Sequence, residues 1–108
     1  DAPGTTTTVQ LTGNIIPMSP SSGNDALFAL FNEATHSLGY ERWTAAHSGG
    51  GSDASYAVML GIPAICATGV LASGPHTLVE RANIEDFRKR ARIHIRTILD
   101  LPQGSILA

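Results

Sequence analysis

The fold is decided by residues 49–67, which read GGGSDASYAVMLGIPAICA. Ser52 or Asp53 is suited to cap a helix that runs to Leu60, where a glycine and a nearby proline end it. Residues 62–67 are continuously apolar and follow that glycine, which is typical of a strand buried on both faces. The stretch therefore predicts a glycine turn, a helix and a buried strand in succession.

Two more strand candidates precede the glycine turn. Residues 5–12 alternate threonine with Val9 and Leu11, as a half-buried or edge strand does. Residues 40–45 form a short strand candidate that runs into the glycines. With one helix after each strand the order is β-α-β-α-β-α. Short loops between unlike elements indicate an α/β fold with a largely parallel sheet.

Capping residues mark the ends of the first and last helices. Asn24 is predicted to cap the first helix and Gly39 to end it. Asn83, with Asp86 three residues later, is predicted to cap a final helix over residues 84–100. This helix is amphipathic, and an apolar stripe is the face that a helix normally buries. The stripe comprises Ile84, Phe87, Ala91, Ile95 and Ile98.

Length and composition limit the classes of function. The chain has 108 residues, of which 43% are hydrophobic, enough for one small core. A formal net charge of -2 with 15% charged residues excludes a basic field for nucleic acid or a cationic membrane face. No membrane span or targeting segment is evident, which predicts a cytoplasmic protein. Cys66, the single cysteine, is predicted to be a small core residue.

Two loops follow predicted strands and carry the candidate chemistry. Glycines at 49–51 allow close approach of a ligand, and the helix that follows attracts anions with its N-terminus. The second loop, residues 68–80, holds His76 after Gly74-Pro75, with Glu80 as an acceptor for the imidazole N–H. Because ligands of open α/β sheets bind beyond the carboxyl ends of strands, we expect both loops to line one cleft. His94, among arginines, is expected on the solvated surface.

The glycine turn has competing interpretations. A dinucleotide fingerprint through Gly49, Gly51 and Ala54 fails, because no acid follows about 20 residues later. A serine-hydrolase elbow with Ser52 as nucleophile remains an alternative. Against it, the closing glycine is replaced by alanine, and only Asp53 is available as the third catalytic member. A non-catalytic α/β segment that binds a small anion is the other alternative.

The Gly-Gly-Ser-Asp-Ala turn at 50–54 and the Gly-Pro-His segment at 74–80 together resemble the C-terminal end of the co-catalytic zinc hydrolases. That family includes carboxypeptidase G, acetylornithine deacetylase, succinyl-diaminopimelate desuccinylase and aminoacylase. The resemblance runs through nearly the whole chain. Residues 1–16 are similar to the last strand of the family's lid or dimerisation domain, and residues 17–108 to the C-terminal part of its catalytic domain.

The resemblance implies a role for each matching residue. His76 would be a ligand of one of two zinc ions, with cobalt or manganese as alternative metals, and Glu80 would support its loop. The zinc-bound water would attack the amide bond of a peptide or N-acyl amino acid. Gly50 and Gly51 would border the substrate. Ser52 and Asp53 would shape the turn and the start of the helix that follows it.

The family's remaining ligands and its catalytic base lie upstream of anything that these 108 residues match. The resemblance therefore implies a piece of a larger enzyme, which is consistent with a chain that begins at Asp1 without a methionine. Its partners would be the substrate and the rest of its own catalytic domain, and the lid domain of the complete enzyme allows a homodimer. We expect the isolated chain to be inactive.

Overall fold

The computed structural model describes residues 2–103, and most of the regular structure in this range is helical. The first and last helices have sixteen residues each, and between them lie a short helix and a two-stranded antiparallel ribbon. In chain order the elements are α1 (Ser22–Ser37), α2 (Ala54–Met59), β1 (Ala72–Ser73), β2 (Arg81–Ala82) and α3 (Ile84–Leu99).

The N-terminus of α1 differs from the prediction. Ser21 is the cap, because its hydroxyl accepts a hydrogen bond from the backbone N–H of Asn24 at 3.1 Å. Asn24 lies inside the first turn and is buried, where its amide bonds two other segments. Its Nδ2 donates to the Ser19 carbonyl at 3.1 Å, and its Oδ1 accepts from Ala64 N at 3.0 Å. The prediction of Asn24 as cap was therefore wrong, and this residue joins α1 to residues 62–67.

Glycines end α1 and α2, as the sequence predicts. Gly39 has φ +80° and Gly61 has φ +78°, the left-handed conformation that side chains with a Cβ disfavour. Gly39 N donates to the His36 carbonyl at 2.9 Å, while Gly61 N donates to the Val58 carbonyl at the same distance. The next residue in each case bonds one position further back, which completes a Schellman motif at both helix ends.

The core lies where α1 meets α3. Phe31 and Ala34 of α1 and Ile93 of α3 are fully buried. The Phe31 ring also contacts two other rings: that of Trp43, tilted at a centroid distance of 6.2 Å, and that of His94, edge-on at 5.5 Å. Edge and tilted contacts of this kind add to the burial of apolar area. The two long helices thus supply the main hydrophobic contact of the described residues.

α3 does not use its apolar stripe for this contact. Four of the five stripe residues are exposed, and the face that packs on α1 carries Ile93 and Thr97 instead. Periodicity shows which side of a helix is apolar, but the helix can bury that side only where other chain is present to cover it. The exposed members are Ile84, Phe87, Ile95 and Ile98.

His94 was predicted on the solvated surface, and this was wrong. The ring is half-buried against Phe31. Its Nδ1 lies 2.8 Å from the Arg90 carbonyl, which can only accept, so Nδ1 carries the hydrogen. In the neutral ring Nε2 then accepts from the Thr68 hydroxyl at 3.0 Å. His94 therefore ties the chain after residues 62–67 to α3.

The three predicted strands do not pair with one another within residues 2–103. The ladder in this range joins Ala72 to Ala82 and Ser73 to Arg81. A strand candidate needs a neighbour to satisfy its backbone groups, so the largely parallel sheet stays a prediction. The radius of gyration is 18.6 Å, against about 13 Å for a compact domain of this length. No helix among the described residues is both long and apolar enough to span a membrane.

Candidate active site

The glycine turn at 49–51 is exposed and has negative or extended φ values. Gly50 N donates to the Ser48 hydroxyl at 3.1 Å, which folds the turn back on itself. Gly51 lies against another segment, because a Cβ at this position would come within 3.0 Å of the Ile15 side chain. Local packing is therefore one reason for glycine at position 51. The predicted contacts of Gly50 and Gly51 with substrate stay predictions.

Ser52 takes part in the start of α2. Its hydroxyl accepts from Ala54 N at 3.2 Å, and its carbonyl accepts from Ser55 N at 3.1 Å. Asp53 occupies the N-cap position, but its side chain makes no capping hydrogen bond. Asp53 therefore occupies the N-cap position, while Ser52 supplies the side-chain oxygen that accepts a backbone N–H at the start of α2.

Cys66 donates to the same Ser52 hydroxyl, with Sγ and Oγ 3.0 Å apart. The prediction that Cys66 is a core residue was wrong, since it is exposed. Within residues 2–103 no strand pairs with residues 62–67 to cover the thiol. Ser52 forms no hydrogen bond with a histidine in the described part of the chain, although a serine nucleophile requires such a base.

His76 lies on the loop that connects β1 to β2. Thr77 organises this loop: its backbone N–H and its hydroxyl both donate to the Gly74 carbonyl, at 3.2 and 2.7 Å. The Thr77 hydroxyl in turn accepts from Val79 N at 3.3 Å, and the Thr77 carbonyl accepts from Glu80 N at 3.2 Å. Two successive turns therefore define the loop, and His76 is exposed within the first.

His76 has φ +63°, in the left-handed region that residues other than glycine seldom occupy. Such a conformation costs on the order of 1 kcal/mol, and it often occurs where the position of a side chain serves function. Gly74 also has a positive φ, and a Cβ there would lie 3.1 Å from the Thr77 hydroxyl. Glu80 is exposed, and none of the hydrogen bonds or ion pairs found in residues 2–103 joins it to His76. Its supporting role therefore stays a prediction.

The ribbon that carries His76 is attached to the first turn of α3. Asp86 Oδ2 accepts from Leu71 N at 2.6 Å and from Arg90 Nε at 2.9 Å. Asn83 N donates to the Leu71 carbonyl at 3.0 Å. The hydrogen bond from Leu71 and the positive charge of Arg90 lower the pKa of Asp86, against the opposing effect of partial burial. Only the capping contact between Asn83 and Asp86, 2.9 Å long, was predicted from the sequence.

The two candidate loops are not joined to each other by a hydrogen bond or ion pair in the described range, so their shared cleft stays a prediction. An open depression beside the ribbon is lined by neither His76 nor the glycine turn. Within residues 2–103 no three His, Cys, Asp or Glu side chains are grouped so that they could hold a metal ion. A complete metal site therefore does not fit these residues alone, although an exposed imidazole suits a single ligand.

Comparison with known families supplies the decisive observation. The model of peptidase family M20/M25/M40 matches residues 5–100, which is most of the chain. The chain belongs to this family. Searches of curated proteins and of solved structures gave no match. The family match confirms the resemblance deduced from the glycine turn and the His76 segment, and it places the chain among the metallopeptidases, which are hydrolases.

The matched range of the M20/M25/M40 segment includes both loops, α1, α2, the ribbon and α3. The most important residues that sequence reasoning missed are Arg90 and Trp43, whose guanidinium and ring lie 3.9 Å apart. In the sequence Arg90 is one of several arginines on α3. Nothing in the spacing of charges distinguishes it from Arg88 or Arg92, so its partial burial becomes evident only in three dimensions.

Proposed function

We propose that this chain forms the C-terminal part of a zinc-dependent amidohydrolase that cleaves a peptide or an N-acyl amino acid. The observation that carries the proposal is the family match over residues 5–100. On this proposal residues 17–108 belong to the catalytic domain, and residues 1–16 end a lid domain. When bound, zinc would supply a water molecule activated for attack on the amide carbonyl.

His76 is the residue of this chain that we propose as a metal ligand. Its exposure leaves the imidazole available to a site that other parts of the enzyme complete. A zinc site takes at least three protein ligands, so further ligands must come from outside residues 2–103. No catalytic step is assigned to this chain alone. Its part is to hold one imidazole in place and to present the glycine turn.

The proposed partner, the rest of the catalytic domain, would also complete the sheet. Residues 62–67 are held against α1 through Asn24, and the next residue, Thr68, bonds α3. They therefore lie next to the helices but have no strand neighbour in the described range. Val9 and Leu11 are almost fully exposed, as expected for a strand whose own domain is incomplete. These features support the α/β sheet, in which both loops would leave the same edge.

The proposal is tested on the complete polypeptide that the gene encodes. Hydrolysis of a panel of dipeptides and N-acyl amino acids is measured after removal of metal and again after addition of zinc. We expect activity only with zinc, and we expect His76→Ala to lower kcat/KM by at least about 100-fold, as loss of metal ligation or its support does. His36→Ala, which removes an exposed histidine of α1, serves as the matched control and should retain activity.

Full activity of His76→Ala would overturn the assignment of His76. Activity that persists without metal and is abolished by Ser52→Ala would favour the serine-hydrolase alternative. Absence of hydrolysis with every substrate and metal, from a folded polypeptide, would favour the non-catalytic alternative.

A further inference from the structure

The backbone N–H and carbonyl of Leu71 complete the cap of α3. In a capping box the third helical residue would accept from the backbone N–H of the cap residue. Here Asn83 N donates to the Leu71 carbonyl instead, and Leu71 N donates to Asp86, the third helical residue. The other half of the box, from Asp86 N to Asn83 Oδ1, is present at 2.9 Å. Leu71, the residue before β1, therefore bonds both capping partners, Asn83 and Asp86.

These two hydrogen bonds attach the base of the ribbon that carries His76 to the start of α3. Leu71 immediately precedes β1, and Asn83 immediately follows β2. The ribbon between them contains only two residue pairs, and a two-stranded hairpin is at best marginally stable alone. Its attachment to α3 therefore decides whether the loop at its tip keeps one orientation.

Asp86 connects this attachment to the core. The carboxylate also bonds Arg90, and the side chains of Asp86 and Arg90 are 15% and 11% exposed. The neighbouring ion pair of α3, between Glu85 and Arg88, is exposed on both sides. Arg90 stacks on Trp43, which contacts Phe31, so the chain of contacts runs from Leu71 to the buried ring of α1.

We propose that Asp86 is a positioning residue for the His76 loop, which it holds in place through Leu71 at the base of the ribbon. The inference rests on the proposed function only where it gives the loop a role in hydrolysis. Asp86 itself would touch no reacting group. It acts through the backbone of the ribbon, and the hydrogen bond to a charged acceptor is the stronger kind.

The test is amide hydrogen exchange of the 108-residue chain, measured by mass spectrometry at low protein concentration. In Asp86→Ala we expect the peptide that covers residues 70–83 to exchange at least about tenfold faster, the effect of losing a hydrogen bond to a charged group. The peptide that covers residues 91–99 should keep its protection. Glu85→Ala, which removes the adjacent and exposed carboxylate of the same turn, should leave both peptides unchanged.

Asp86→Asn distinguishes the proposed contact from a purely structural ion pair. An amide oxygen can still accept from Leu71 N, whereas the charge that pairs with Arg90 is gone. We therefore expect protection of residues 70–83 to be intermediate between the wild type and Asp86→Ala. Equal loss in the Asn and Ala variants, or no loss in the Ala variant, would overturn the proposal. If the Ala variant also loses protection at 91–99, the Asn variant decides the question.

Hydrogen exchange does not depend on zinc or on activity, so the two proposals can fail separately. If residues 70–83 exchange faster in Asp86→Ala but the polypeptide hydrolyses no amide, the attachment through Asp86 stands and the proposed function is rejected. In an active enzyme, we expect Asp86→Ala to lower kcat about tenfold or more while the control Glu85→Ala does not. An active enzyme whose ribbon and kcat are both unaffected by Asp86→Ala would reject the positioning role alone.

Discussion

The contact between α1 and α3 and the ribbon that carries His76 are stabilised in different ways. Between the helices, Phe31 and Ile93 are removed from water, and the rings of Trp43 and His94 contact that of Phe31. In the ribbon, side chains are exposed, and the order comes from backbone hydrogen bonds and the Asp86 carboxylate. The helical contact is complete within residues 2–103, whereas the ribbon ends in a loop where the His76 side chain forms no hydrogen bond or ion pair with the described residues. The difference indicates that the described residues complete the helical scaffold, whereas the role proposed for the His76 loop depends on groups outside them.

The largest expected effect is on the helical contact. Phe31 is 1% exposed and Phe87 is 58% exposed, so the two give a matched comparison of the same residue type. Phe31→Ala should lower the free energy of unfolding by about 3–5 kcal/mol, the usual cost of emptying a buried phenylalanine site. Phe87→Ala should cost less than about 1 kcal/mol. Urea unfolding followed by circular dichroism measures both, and similar losses would contradict the location of the core.

Helix ends were the part of the fold that the sequence predicted best. Gly39, Gly61 and the pair Asn83 and Asp86 act on neighbours within six residues, so the signals are local. The assignment of Asn24 failed because two acceptable cap residues lie three positions apart, and the amide of Asn24 has partners outside the helix.

Contacts between residues that are far apart in the sequence could not be predicted from such local signals. His94 meets Thr68 across 26 positions, and Arg90 stacks on Trp43, yet neither residue differs in sequence pattern from its solvated neighbours. For the candidate site, the sequence correctly placed His76 on a loop but gave no indication of the attachment at Leu71. The parallel sheet and the shared cleft depend on strands that have no neighbours in residues 2–103, so they remain predictions.

The second prediction concerns the link between the helical scaffold and residues 62–67. Asn24→Ala leaves the N–H of Ala64 and the carbonyl of Ser19 without their amide partner. We expect a loss of about 2 kcal/mol in the free energy of unfolding, because the groups concerned are partly buried. Asn14→Ala, at an exposed position, is the matched control and should change stability by less than about 0.5 kcal/mol. An equal effect of both substitutions would show that the link does not stabilise the fold.

The third prediction concerns the ribbon and pH. The pKa of Asp86 is lowered in the folded chain, so its contribution is fully present above the ordinary carboxyl range near pH 4 and is lost as the pH falls through the lower folded value. Hydrogen exchange of residues 70–83, corrected for intrinsic rates, should therefore accelerate only below about pH 4. In Asp86→Ala this acceleration should be absent. A transition at neutral pH, or one that the Ala variant retains, would assign the pH response to another group.

The smallest expected effect concerns Ser52, which lies between the two regions. Because its hydroxyl accepts from Ala54 N, Ser52→Ala should lower the free energy of unfolding by about 1 kcal/mol, the usual contribution of a helix cap. Ser22→Ala, at an exposed position in the first turn of α1, is the control and should have a smaller effect. In the complete enzyme a serine-directed covalent inhibitor should leave hydrolysis unchanged, since no histidine is bonded to Ser52 in the described residues. Stoichiometric labelling of Ser52 with loss of activity would instead make it the nucleophile, and the glycine turn would then be the reacting part of the site.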